Sequence, residues 1–148
     1  MKLHITVAQR RSIMKKVIIL AIVMMMSFPS LHLMAQADEY IAKVDSDGIQ
    51  RVQITARDYS FTPNHIILKV NMPTELSVKK EAGFVPHNIT LNAPDAGINF
   101  SESLSADPVL IKFTPAKTGK FTFFCNKKLP FSKSHREKGM EGILEVRE

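Results

Sequence analysis

Beyond residue 48 apolar side chains recur at every second position in a series of short runs. Val52, Ile54 and Ala56 alternate with polar neighbours, as do Leu76 and Val78, and then Val109, Ile111 and Phe113. Successive side chains of a strand point to opposite faces, so a period of two predicts strands with one face buried. Ile66, Ile67 and Leu68 form a shorter apolar run, and Pro63, Pro73, Gly83, Pro94, Pro108 and the PAKTG stretch at 115–119 punctuate the pattern at turns. No stretch beyond residue 37 carries a long helical period. About seven short strands in roughly 100 residues predict an all-β domain, an antiparallel β-sandwich or barrel. Its core is expected over 48–148. The polar, turn-rich DEYIAKVDSDG at 38–48 is expected to be a mobile approach to it, and 93–108 a long loop with at most one helical turn.

The first 37 residues break the pattern. MKLHITVAQRRSIMKK carries Lys2, Arg10, Arg11, Lys15 and Lys16 without an acid; VIILAIVMMMSF follows, and then PSLHLMAQA with Ala35 and Ala37 in a small-x-small arrangement. A basic start, a short apolar stretch and that ending predict a signal peptide at 1–37, cut after Ala37, with Met14 as an alternative start. An uncleaved membrane anchor is the competing expectation, since a spanning helix needs about 20 apolar residues. Ser27, Pro29, Ser30 and His32 interrupt the stretch and favour cleavage. The expected product is exported, periplasmic and not membrane-spanning, with a domain at 38–148.

Removing the leader changes the charge argument. The chain has 20 basic and 14 acidic residues, and five of the basic ones lie in the leader with no acid beside them, so the remainder carries about +1. The sequence pI of 9.6 therefore reflects the targeting segment, and a nucleic-acid partner is not expected.

Cys125 is the one cysteine of the 148 residues. In an exported domain it is expected to be buried, paired with another chain or bound to a metal. In KFTFFC, Phe121, Phe123 and Cys125 share a parity, and two phenylalanines mark that face as the core. Cys125 is thus expected at a strand end, pointing inward. FVPHNITL places His87 near the start of an earlier strand, EGILEV begins a last strand directly after Met140, and the loop between carries His135. Each residue alone has an ordinary reading as a buried thiol, a core histidine or a packing methionine. Together, two imidazoles and a thiolate with a distant thioether suit an electron-transfer copper site. His65 lacks such company and is read as structural.

PHN at 86–88, PAKTGKFTFFC, and the order Cys125-x9-His135-x4-Met140 resemble the type 1 copper signature of the cupredoxins. The likeness spans about residues 50–148. It implies a cupredoxin-like Greek-key β-sandwich binding one copper ion through His87, Cys125 and His135, with Met140 axial. It also implies that Asn88 ties its strand to the cysteine loop by hydrogen bonds. The nine residues between Cys125 and His135 exceed the loop of plastocyanin-like and azurin-like carriers and come closer to that of the type 1 domain in copper nitrite reductases.

Catalysis is not expected. Copper oxidases and nitrite reductases of this family place a histidine beside the type 1 cysteine, whereas Cys125 has Phe124 and Asn126 as neighbours. Beyond residue 37 there are only His65, His87 and His135, too few for a catalytic copper cluster within one subunit, and a binuclear centre of the cytochrome oxidase kind needs a second cysteine. An electron-transfer protein is the favoured expectation, with a copper chaperone or storage protein as the alternative. The loop carries Lys127, Lys128, Lys133, Arg136 and Lys138, opposed by Glu137, around Leu129, Pro130 and Phe131. An apolar patch ringed by cations predicts docking of an acidic redox partner there, with His135 near the surface as the shortest route to the metal.

Overall fold

The computed structural model describes residues 39 to 148; the expected leader and its cleavage site lie outside them. The described residues form ten strands: β1 (Glu39–Ile41), β2 (Gln50–Arg57), β3 (Ser60–Thr62), β4 (His65–Lys69), β5 (Thr74–Lys80), β6 (His87–Ala93), β7 (Ile98–Leu104), β8 (Val109–Phe113), β9 (Gly119–Phe124) and β10 (Glu141–Arg147). One sheet has the order β1-β4-β10-β9-β6-β7 and the other β3-β2-β5-β8. Among the described residues no helix is long and apolar enough to cross a membrane.

The two sheets form the expected sandwich because the alternating positions fill the space between them. Val52, Ile54 and Ala56 of β2, Leu76 and Val78 of β5, Ile89 and Leu91 of β6, and Phe123 of β9 are all buried. Phe61 and Phe123 meet edge to face, their ring centroids 5.3 Å apart. At Gly142 a Cβ would overlap the Phe123 ring and the Asn64 carbonyl, so the close approach of β10 depends on glycine.

Three features depart from the sequence reading. The stretch at 93–108 holds a strand, β7, which pairs antiparallel with β6 from His87↔Leu104 to Ala93↔Ile98. Its alternation is masked because Glu102 occupies an inward-parity position yet stays exposed, which a strand at the sheet edge tolerates. The segment expected to be a mobile approach contains β1, paired parallel with β4, and Ala42 is buried with its N–H donating to Ile67 O at 3.0 Å. All three β1 side chains are exposed, so backbone pairing rather than side-chain burial holds the strand, and no alternation signals it. Finally, β1–β4, β4–β10 and β2–β5 are parallel pairs within an otherwise antiparallel arrangement, brought together by crossovers that local patterning does not record.

These pairings put three strand ends together. β9 and β10 pair antiparallel from Phe124↔Glu141, so Cys125 and Met140 flank the same end of the ladder. β6 lies on the other side of β9, joined at Thr90↔Phe124, and begins at His87.

Candidate metal centre

Cys125 follows the last residue of β9 and is fully buried, as its parity predicts. Its N–H donates to Met140 O at 3.0 Å, and its Sγ accepts the Asn88 N–H at 3.4 Å. The Asn88 side chain makes the expected tie, its Oδ1 accepting the Asn126 N–H at 2.9 Å while its Nδ2 donates to Thr90 Oγ1 at 3.0 Å. One asparagine thus fixes the start of β6 against the residue after the cysteine, the kind of outer contact that orients metal ligands.

The loop from 126 to 139 folds back on itself before β10. Lys128 and Ser134 form an isolated antiparallel bridge, and the His135 N–H donates to Lys127 O at 2.8 Å. Glu137 then accepts from the Ser134 N–H at 2.7 Å and its hydroxyl at 2.6 Å, which holds its carboxyl below the usual range. A short 3-10 turn, Arg136–Lys138, ends at Gly139 with φ of 92°, a conformation that favours glycine. The Met140 N–H closes the loop on His135 O at 2.9 Å. Met140 is fully buried, and its backbone is tied to both Cys125 and His135.

The ligating atoms of His87, Cys125 and His135 lie within 4.8 Å of one another. His135 Nδ1 is 3.4 Å from Cys125 Sγ and 3.2 Å from His87 Nδ1. Bonds the length of those in zinc sites, about 2.0 Å to nitrogen and 2.3 Å to sulfur, would space donors in a trigonal plane by roughly 3.5 to 3.8 Å. The two short separations fall a few tenths of an ångström below this, and with all three donors within 4.8 Å of one another they converge on one centre.

Burial favours the neutral, ligating form of both imidazoles. Burial lowers the pKa of His87, reinforced by the charges of His135 and Lys80 and opposed by Asp58. Burial also lowers the pKa of His135, with Lys138 adding to the effect. His135 Nε2 is buried without a hydrogen-bond partner, a cost that a purely structural core histidine would avoid.

His65 stands apart, as expected: its Nε2 lies 2.9 Å from Glu145 Oε2. Glu145, bonded to Arg147, His65 and Lys120, has its pKa lowered to about 2.

The surroundings correct the expected route to the metal. His135 is fully buried rather than near the surface, and Tyr59 covers it edge-on with centroids 5.0 Å apart at 76°. The Lys138 ammonium lies 4.1 Å from the Tyr59 ring centroid. Arg136 pairs with Glu141 at 3.1 Å and lies over the Phe124 ring, so Glu137 is not the sole acid opposing the loop's cations. Phe131 is fully exposed, and so is Phe84, three residues before His87, which sequence reasoning passed over. Tyr59 was equally missed, because nothing in ARDYS indicates that a turn residue reaches a histidine 76 positions later.

The model of the cupredoxin-like domain family matches residues 16–135, more than half of the chain. The chain belongs to the cupredoxin family. Among solved structures, this cupredoxin is similar to the metal-binding domain of the Cu(I)-exporting P-type ATPase CopA of Streptococcus pneumoniae D39, with Cu(I), at TM-score 0.56 and 24% identity over 76% of this chain and 98% of that one. It is also similar to a copper-binding protein in its apo form, at TM-score 0.56 and 21% identity over 75% and 99%. Reduced auracyanin from Roseiflexus castenholzii matches at TM-score 0.55 and 15% identity over 72% and 99%. At these identities the likeness establishes the fold. No curated protein matches the chain. The family fold and the buried set of two imidazoles and one thiol fit one copper ion.

Proposed function

We propose that this cupredoxin is an exported, periplasmic electron-transfer protein and not an enzyme, with one copper held by His87, Cys125 and His135 and axially by Met140. The observation that carries the reading is the convergence of His135 Nδ1, His87 Nδ1 and Cys125 Sγ inside a buried pocket of the fold. Copper, when bound, supplies a one-electron couple between Cu(I) and Cu(II). The chain's own residues keep the donors in place through Asn88, exclude water, and limit rearrangement between the two oxidation states. Lys127, Lys128 and Lys133, beside Leu129, Pro130 and Phe131, form the docking face for an acidic redox partner.

The burial of His135 beneath Tyr59 favours a second reading, a copper chaperone or storage protein, because a sealed imidazole offers a partner no direct contact. Voltammetry of the copper-loaded protein and electron exchange with its partner separate the two. A carrier gives a reversible one-electron wave, and replacing both Lys127 and Lys128 by Glu slows exchange at low salt. That deficit fades as ionic strength rises, since exposed charges are screened beyond about 8 Å at physiological salt. Copper passed to an apo-acceptor without productive electron exchange would establish the handler instead.

A further inference from the structure

The two histidines of the cluster face different surroundings. On the His135 side the donor is closed: the ring is fully buried, Tyr59 stands against it, and Lys138 lies over Tyr59. On the His87 side there is a cavity of about 150 Å³, bordered by Asp58, Glu81, Ala82, Val85 and His87 itself. His87 retains 5% exposure, whereas Cys125 and His135 retain none. A water molecule occupies about 30 Å³ of liquid volume, so the cavity accommodates a small ion with part of its hydration.

The two sides also differ in their acids, which border only the cavity on the His87 side among these groups. An approaching cation meets the Lys138 ammonium on the closed side. On the open side the carboxylates of Asp58 and Glu81 border the cavity, beside the cations Arg57, paired with Glu81 at 3.5 Å, and Lys80, which keeps its charge while donating to the Gly83 carbonyl at 2.6 Å. Asp58 supplies the nearby negative charge from a turn held at φ of 50°, and the residue after it is Tyr59. One two-residue turn between β2 and β3 therefore presents an acid to the open side and an aromatic cover to the closed side.

We infer that this cavity is the route by which a copper ion reaches and leaves the site, passing first to His87, while Tyr59 closes the His135 side to metal exchange. The inference rests on the ligand set of the proposed function and adds the direction of access. A gate acts on uptake and release alike and leaves the equilibrium between them unchanged, so its signature is kinetic.

The test follows Cu(I) uptake by the apo full-length protein and Cu(I) release to a chromophoric chelator. Ala82→Trp narrows the cavity without touching a donor; it is expected to slow uptake and release by the same several-fold factor, with the dissociation constant unchanged. Tyr59→Ala opens a second route and is expected to accelerate both, restoring fast exchange when combined with Ala82→Trp. Asp58→Asn is expected to slow uptake at low ionic strength and not at high. Wild-type rates in both Ala82→Trp and Asp58→Asn would overturn the route, even with a normal copper spectrum. Cu(II) binding with no visible band dependent on Cys125, read on the same protein, would instead overturn the ligand set, and the route with it.

Discussion

β2 runs from one end of the sandwich toward the other, and buried polar groups lie near both of its ends. At its start Gln50 is fully buried at a core-parity position, yet its side chain is satisfied. Its Nε2 donates to Lys69 O at 3.0 Å and Thr74 Oγ1 at 3.2 Å, and its Oε1 accepts the Lys69 N–H at 2.7 Å. Beyond its end, past the Asp58-Tyr59 turn, His135 is equally buried, but its Nε2 has no partner and its Nδ1 faces another imidazole and a thiol. A satisfied buried polar group joins the two sheets; an unsatisfied one costs stability. The contrast separates what the fold needs from what the site needs.

The largest effect that sharpens this contrast is metal loading. Copper at a thousandfold excess over its dissociation constant is expected to stabilise the wild type by about 4 kcal/mol in denaturant unfolding. Cys125→Ser should gain far less under the same conditions. Next comes Gln50→Leu, which strands the Lys69 N–H and C=O, while the Thr74 hydroxyl keeps its bond to Met72 O at 3.1 Å; at about 1 to 3 kcal/mol for a buried group left unpaired, a loss of about 3 kcal/mol is expected, with the copper spectrum intact. His135→Leu should cost clearly less apo stability than Gln50→Leu, because its Nε2 has no partner to lose and its Nδ1 meets only Cys125 Sγ at 3.4 Å and His87 Nδ1 at 3.2 Å, while abolishing tight copper binding. Equal destabilisation by the Gln50 and His135 substitutions in the apo protein would break the comparison.

A smaller effect concerns pH. Arg147, His65 and Lys120 hold the Glu145 carboxyl at about 2, below its ordinary 4.5. A depressed folded-state pKa means that the unfolded chain binds the proton more readily, so this group's contribution is present above about pH 4.5 and is lost as pH falls toward 2. Glu145→Gln should therefore be less stable than the wild type at neutral pH and converge with it in acid. A difference constant from pH 7 to pH 2 would show that the ion-pair cluster is not the cause.

Much of the donor set is legible in the chain because Cys125, His135 and Met140 belong to one strand end and one loop, where spacing carries information. The parity of Phe121, Phe123 and Cys125 gives the thiol's direction, and Phe123 and Cys125 are indeed fully inside. His87, on a distant strand, is legible less directly, from its place near a strand start in FVPHNITL and from the PHN stretch that resembles the family's. The cover over His135 is not, since Tyr59 reaches it by the packing of one sheet's hairpin onto the other's loop. Nor is β7, where Glu102 interrupts the alternation, or β1, which buries no side chain of its own. Patterns of two read strands with one buried face; edges and crossovers leave weaker traces.

The visible absorption of copper-loaded wild-type protein beside Cys125→Ser tests the central claim most directly. An intense sulfur-to-copper charge-transfer band in the wild type and its absence in Cys125→Ser is the predicted result. Cu(II) bound by the wild type without such a band would contradict the assignment of Cys125, with His87 and His135, as the ligands of a type 1 site.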